Sequence, residues 1–239
     1  MEWEVTLSGP QVVLEELSRA FHDEHFRVSK VNDAFVLSCT EFSTLEDEAA
    51  VRAAASSMAE ALSGISRMLL ESAAPIEITH VAEVRPDGTR NIFIQVRPGA
   101  LHASARYFAS TVSPADGSVD ERQPSYPASV WLARARASSA AMRALRLRNR
   151  SPLSWSDLYR LYEVIVDGAG GVELVVSSGW ASRAQLRRFR HSANSVAAAG
   201  DDARHGVEPT APPTDAMTLP EARSLLDTLL ARWLGSDNV

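Results

Sequence analysis

Apolar and polar residues alternate along several short stretches in the first half of the chain. In the first stretch, residues 2–8, the apolar Trp3, Val5 and Leu7 are separated by polar residues. A period of two is typical of a strand with one buried face. The same pattern predicts strands over residues 26–31, 34–40, 76–84 and 91–97, and more weakly over 103–112.

Turn residues join these strands in pairs. Asn32 and Asp33 stand between the second and third predicted strands, and residues 86–89, Pro-Asp-Gly-Thr, stand between the fourth and fifth. Both sequences favour tight hairpin turns. The predicted sheet is therefore mainly antiparallel.

Two helices are predicted among the strands. Residues 12–21 carry their apolar positions on one side, and residues 44–72 are rich in alanine with an apolar residue every three or four positions. Thr44 and Asp47 have the spacing of a capping box at the start of the longer helix. Because glycine inside a helix costs about 1 kcal/mol relative to alanine, we expect close packing at Gly64.

In the second half of the chain the apolar period changes to that of a helix. Three of the predicted helices open with residue pairs in capping-box spacing, namely Ser154 with Asp157, Ser182 with Gln185, and Thr218 with Glu221. The predicted helices cover residues 128–148, 154–166, 182–190 and 218–234.

Strands followed by helices predict an α+β fold with two parts. We expect an α+β domain over residues 1–112, with a mixed, mainly antiparallel sheet and two helices. Residues 113–127, which are rich in proline, are the predicted linker. Residues 128–239 are predicted to form a bundle of about four helices.

Composition places the chain among ordinary globular proteins, with 45% hydrophobic and 23% charged residues. Cys39 is the single cysteine, so it has no intrachain disulfide partner, and its apolar surroundings predict a small core residue. The acidic first residues are unlike a signal peptide, and no apolar stretch approaches the roughly 18 residues that span a bilayer. We therefore expect a cytoplasmic protein without membrane contact.

Charge is distributed unevenly within the net charge of −6. Residues 1–75 carry 13 acidic and 5 basic residues, whereas residues 126–206 carry 6 acidic and 12 basic ones. A basic segment of this kind either attracts phosphate or docks on the acidic part of its own chain. Lys30 is the only lysine, which together with abundant alanine is typical of a high-GC bacterial genome.

The sequence motifs of the common enzyme classes are missing. There is no phosphate-binding glycine-rich loop, no dinucleotide fingerprint, no glycine-flanked nucleophilic serine and no paired cysteines or histidines at metal-ligand spacing. We therefore expect no cofactor and no metal.

The densest polar segment covers residues 183–206. Arginine binds phosphate through two parallel hydrogen bonds, and histidine transfers protons near neutral pH, so this segment indicates an anion site. The candidate catalytic residues are His191 and His205. The candidate ligand-binding residues are Arg187, Arg190, Asn194 and Arg204.

A structural interpretation of the same segment stays open. In that interpretation His191 binds a backbone group, and Arg204 is buried against Glu163 or Asp157. In the first interpretation the polar side chains converge on a concave surface. In the second they bond to other residues of the same chain.

Two resemblances follow from these residues. Residues 158–163 (LYRLYE), 188–194 (RFRHSAN) and 204–206 (RHG), with Gly200 and residues 217–222, resemble a C-terminal module of uncharacterised bacterial proteins that covers about residues 153–234. That resemblance implies no activity.

The helical part is also similar to the HEPN superfamily, which includes ribonucleases of bacterial defence and toxin systems. The catalytic mark of that family is an arginine followed, after four to six residues, by a histidine. Here only three residues separate Arg187 from His191, which departs from the pattern.

The sequence favours a non-enzymatic binding or interaction protein with an arginine-rich recognition surface on the helical part. Its expected partner is another protein or a second copy, with nucleic acid as an alternative through residues 183–206. The other functions that stay open are an HEPN-like ribonuclease or RNA-processing protein that uses the arginine and histidine cluster, and an oligomerising structural component.

Overall fold

The computed structural model describes residues 2–72, 74–87, 89–94, 125–207 and 211–236, with only the backbone described for residues 125 and 126. The predicted strand over residues 103–112 and most of the predicted linker lie outside the described residues. The predicted α+β class is confirmed, with a five-stranded antiparallel sheet followed by helices.

The sheet has the strand order β2-β3-β1-β4-β5, with β1 at its centre. Every pair of neighbours is antiparallel. Asn32 and Asp33 both have a left-handed backbone, at φ 47° and 65°, as a two-residue hairpin turn requires. The strands are β1 (Glu2–Ser8), β2 (Phe26–Val31), β3 (Ala34–Cys39), β4 (Glu77–Val84) and β5 (Arg90–Ile94).

The alternation in β1 places its apolar side chains on the helix-covered face of the sheet. Trp3, Val5 and Leu7 are buried there, against α1 (Gln11–Ala20) and α2 (Glu48–Leu69). Helix α1 packs on β2, and α2 packs on β4 and β1. Cys39 is buried in the same core, as predicted, and burial raises the pKa of its thiol.

Helix α2 begins later than predicted. Thr44 lies in a short 3₁₀ turn, Thr40–Thr44, and the N-cap of α2 is Asp47, whose side chain accepts a hydrogen bond from the backbone N–H of Ala50. The predicted capping box of Thr44 and Asp47 is therefore wrong. Aspartate alone satisfies an N–H group of the first turn.

The helical part contains more elements than predicted. The predicted helix over residues 128–148 is two helices, because Ser138 has an extended backbone and caps the second one. Two short helices, α6 and α8, were not predicted. The described helices after the sheet are α3 (Ser125–Ala137), α4 (Ser139–Arg148), α5 (Trp155–Gly168), α6 (Val172–Ser177), α7 (Arg183–Asn194), α8 (Val196–Ala199) and α9 (Leu219–Leu234).

Helix α2 joins the sheet to the helical part. One side of α2 packs on β4, and α3 and α4 pack on α2 as well. At Gly64, a Cβ atom would lie 2.4 Å from the carbonyl oxygen of Leu145 in α4, so the close packing expected at this glycine is present. The buried residues of the sheet and of the helices belong to one continuous core.

Candidate functional site

Helix α7 carries most of the candidate residues. Its N-terminus is closed by the predicted capping box, in which Ser182 and Gln185 exchange side-chain and backbone hydrogen bonds. Leu186 and Phe189 anchor one face of the helix in the core. Leu186 and Phe189 face inward, whereas Arg187 and Arg190 beside them are exposed.

His191 pins the loop that precedes α9. Its Nε2 atom lies 2.9 Å from the carbonyl oxygen of Ala211 and donates to it. The neighbouring Ser192 hydroxyl, which is buried, accepts a hydrogen bond from the backbone N–H of Met217 at 2.8 Å. Both contacts attach α7 to the segment before α9, so the contact that the structural interpretation expected of His191 is present.

Arg188, which was not among the candidates, ties the same segment more tightly. Its Nε lies 2.9 Å from an Oδ atom of Asp215, and its Nη2 donates to the carbonyl oxygen of Ala216 at 3.1 Å. It also reaches Glu221 at 3.4 Å. The pKa of the Glu221 carboxyl is lowered by the backbone N–H and hydroxyl of Thr218 and by Arg188.

Arg204 is fixed on helix α5. Its Nη2 donates to Glu163 at 3.0 Å, and its guanidinium lies over the ring of Tyr159 at 4.2 Å. Its backbone N–H donates to Ala193 at the end of α7 at 2.9 Å. The pairing with Glu163 is one of the two that the structural interpretation named, but Arg204 is exposed and not buried as that interpretation expected.

An aromatic cluster lies beneath these contacts. Tyr159 stacks on Phe189 with ring centroids 6.2 Å apart, and Tyr162 and Trp155 contact the same phenylalanine. All four side chains are buried, and burial raises the pKa of Tyr162. Most side chains of the pattern that resembles a bacterial module therefore have a structural use, because they join α5, α7 and the loops around them.

The other candidates are not used in this way. Arg187 and Arg190 make no hydrogen bond or ion pair with a described residue, although the charge of Arg190 acts on Tyr162. His205 is exposed beside Arg204. The Oδ1 atom of Asn194 is buried without a described partner. Of the six candidates, His191 and Arg204 are thus held by contacts within the chain.

A different set of arginines does converge. Helices α2, α4 and α5 border an open cleft of about 740 Å³. Arg143 and Arg146 project from α4, Arg150 follows the end of that helix, and Arg160 comes from α5. The cleft is lined by Glu60, Arg143, Arg146, Leu147, Asn149, Arg150 and Arg160.

The arginines of this cleft are only partly neutralised. Arg150 lies 2.7 Å from Asp157, whereas Arg160 reaches the same carboxylate at 3.5 Å. Arg146 lies 3.9 Å from Glu60, which is beyond hydrogen-bond distance. Arg143 makes no hydrogen bond or ion pair with any described residue.

Asp157 stays ionised beneath the arginines. Burial by itself would raise the pKa of this carboxyl, but hydrogen bonds from Arg150 and Ser154 outweigh it, and the pKa is lowered. The Ser154 bonds belong to the predicted capping box of α5, which is confirmed. The Asp157 carboxylate therefore caps the start of α5 and also pairs with Arg150 of the cleft.

A buried positive charge lies behind the cleft. Arg67 of α2 is 8% exposed, and no carboxylate among the described residues lies within ion-pair distance of it. Its Nε donates to Oδ1 of Asn149 at 3.1 Å, and its Nη1 donates to the carbonyl oxygen of Ser72 at 3.2 Å. Burial and the nearby Arg148 lower the pKa of this guanidinium. The Nδ2 donor of Asn149 has no acceptor among the described residues.

The sequence patterns did not predict this cleft. Arg143 and Arg146 are three residues apart, which places them on one face of α4, and Arg150 follows four residues later, after the helix ends. That spacing was a usable signal. The arginines of α4 meet Arg160 and Glu60 only through the packing of α4 on α5 and α2. The prediction instead chose residues 183–206 because polar residues are densest there.

Metal-binding groups and membrane-spanning helices are both absent from the described part of the chain. No group of three or more histidine, cysteine, aspartate or glutamate side chains there could hold a metal ion. No described helix has both the length and the apolar content to cross a membrane.

The comparisons with known proteins give no match. No family model, no curated protein and no solved structure is similar to this chain. The two resemblances, to the bacterial module and to the HEPN superfamily, therefore stay predictions.

Proposed function

We propose that this is a non-enzymatic binding protein that recognises an anionic partner through the cleft of α2, α4 and α5. The proposal keeps the predicted role of an interaction protein with an arginine-rich surface on its helical part. It moves that surface from residues 183–206 to the cleft.

The supporting observation is the excess of positive charge in the cleft. Among the described residues, four guanidinium groups face it, and the two carboxylates near them, Glu60 and Asp157, leave Arg143 unpaired and Arg146 beyond hydrogen-bond distance. The side chains of Arg146, Arg150 and Arg160 are 45%, 53% and 57% exposed. Exposed guanidinium groups on the walls of one cleft concentrate positive potential there and attract anions.

The contacts of the first candidates favour binding over catalysis. A general base must reach the proton that it removes, and His191 already donates its Nε2–H group to the carbonyl oxygen of Ala211. Arg204 is held by Glu163 and Tyr159. Both side chains therefore already have partners within the chain.

The test is binding of a labelled single-stranded RNA and of a labelled polyglutamate at low and moderate salt. We expect the double variant Arg143→Glu, Arg146→Glu to bind both probes about tenfold or more weakly than the wild type. For RNA, the log–log slope of affinity against salt should also become shallower, by about 0.7 for each phosphate that the variant no longer neutralises. The matched control is the double variant Arg187→Glu, Arg190→Glu, which carries the same charge change on α7.

Three results would contradict the proposal. They are wild-type protein that binds neither probe at low salt, equal losses of affinity in the cleft variant and in the α7 control, or a loss of affinity confined to the α7 control.

Gel analysis of the RNA tests the ribonuclease alternative. RNA cleavage by the wild type that disappears in the variant His191→Ala, His205→Ala would make the protein a nuclease.

A further inference from the structure

We infer that the cleft takes an oligophosphate group, meaning two or more phosphates linked in one small ligand. This inference rests on the proposed function and narrows it, since an anionic partner could equally present carboxylates. It concerns Arg143, Arg146 and Arg160, which have unused hydrogen-bond donors, and Asn149 between them.

The size and lining of the cleft suit a small, highly charged ligand. Its volume of about 740 Å³ is within the roughly 300–1,000 Å³ of ligand pockets. Such pockets are usually apolar, yet Leu147 is the one apolar residue among the described residues of this lining. Recognition here must therefore depend on charge and hydrogen bonds.

The placement of the arginines on two elements favours phosphate over carboxylate. Arg143 and Arg146 approach from α4, about 4.5 Å apart along the helix axis, and Arg160 approaches from α5. A carboxylate has two oxygens in one plane, and a single guanidinium can pair with both of them. A phosphate group offers three acceptor oxygens in a tetrahedral arrangement, so it can accept from guanidinium groups on different walls.

Asn149 adds a neutral donor at the same place. Because its Oδ1 accepts from Arg67, its Nδ2 is left as the donor of the side chain. The side chain lines the cleft, so this N–H group is available to a phosphate oxygen there. Arg67 therefore fixes the amide orientation that an anion requires.

The charge balance sets the lower limit on the ligand charge. The described part of the cleft has four arginines against two carboxylates, which leaves two positive charges. Arg67, buried behind Asn149 without a described carboxylate partner, increases the positive potential further. A diphosphate or triphosphate group supplies two or more negative charges in a single ligand, which matches this balance.

Calorimetric titration of the full chain with inorganic tripolyphosphate tests the inference, with citrate as a carboxylate ligand at the same ionic strength. We expect tripolyphosphate to bind at least about tenfold more tightly than citrate. The variant Arg143→Gln, Arg146→Gln should lose at least about tenfold in affinity for tripolyphosphate, and Arg187→Gln, Arg190→Gln should lose less than about twofold. Thermal unfolding of both variants checks that they are folded.

Adenosine triphosphate in the same titration separates two sources of the phosphate chain. Tighter binding than tripolyphosphate supports a nucleotide ligand with further contacts, and equal binding supports recognition of the phosphates alone. Equal affinity for citrate and tripolyphosphate, with both weakened by the cleft variant, would overturn the inference and leave the proposed function standing. If RNA and polyglutamate bind at the cleft but tripolyphosphate does not, the inference is again overturned and the proposed function stands. If no anion binds, the inference and the proposed function are both overturned.

Discussion

Arg204 and Arg187 are both arginines of the 183–206 segment, but only one of them has partners among the described residues. Arg204 pairs with Glu163 and covers Tyr159, whereas Arg187 is exposed and touches no described acid. We expect Arg204→Ala to lower the free energy of unfolding by about 1 kcal/mol, since an exposed ion pair and a cation–π interaction each contribute up to about that much. Arg187→Ala, the matched control, should change it by less than about 0.5 kcal/mol in urea denaturation.

Equal effects of those two substitutions would contradict the structural use of Arg204. Contacts of Arg204 with Glu163 and of His191 with the backbone were one of the two interpretations that the sequence left open. It could not separate the two interpretations, since the separation depends on where Glu163 and Ala211 are in space.

At Gly64, helix propensity and packing predict opposite effects of an alanine substitution on the free energy of unfolding. On propensity alone, Gly64→Ala should stabilise α2 by about 1 kcal/mol. Because the new methyl group would lie 2.4 Å from the carbonyl oxygen of Leu145, we expect a loss of about 1–3 kcal/mol instead. Chemical denaturation of both proteins measures whether Gly64→Ala raises or lowers the free energy of unfolding.

Gly206→Ala is the control for that substitution. A Cβ atom at Gly206 meets no described atom within 4 Å, so the stability of this variant should stay within about 0.5 kcal/mol of the wild type. Stabilisation by Gly64→Ala would show that α2 and α4 are not in close contact.

At the scale of single elements, the capping box of α5 makes stability depend on pH. The pKa of Asp157 is lowered in the folded protein, so its contribution is complete above the unfolded value of about 3.9 and is lost as pH falls through the folded value. Asp157→Asn should therefore cost about 1 kcal/mol at pH 7, and the difference from the wild type should shrink below about pH 4. Urea denaturation between pH 7 and pH 2.5 follows this change.

Asp167→Asn on the same helix is the matched control. Asp167 is exposed near the C-terminal end of α5, where a negative charge is unfavourable, and its side chain has no described partner. Its removal should leave stability at pH 7 unchanged or slightly raised. A pH-independent cost at Asp157 would contradict the role of its charge.

The element scale also shows where sequence patterns suffice. The strands up to β5 were predicted within a few residues, because each alternates around a buried face. The three capping boxes of the helical part were confirmed for the same local reason. The break at Ser138 was missed, since serine is tolerated inside helices and only its extended backbone reveals the cap.

At the scale of the whole molecule, the sequence could not predict how the elements meet. Glu60, Arg146 and Arg160 are far apart in the chain and come together only because α4 packs on α2 and α5. The density of arginine and histidine in 183–206 was visible in the sequence, but three of these residues, His191, Arg188 and Arg204, hold the loops around α7. The convergence of arginines from α4 and α5 in the cleft is contained in no local pattern.

The central claim is that anions bind in the cleft and not on α7. Arginine-selective labelling with a dicarbonyl reagent, quantified for each residue with and without saturating single-stranded RNA, tests it most directly. We predict protection of Arg143 and Arg146 by the RNA and unchanged labelling of the exposed Arg187 and Arg190. Protection of Arg187 and Arg190 with unchanged labelling of Arg143 and Arg146 would contradict the account.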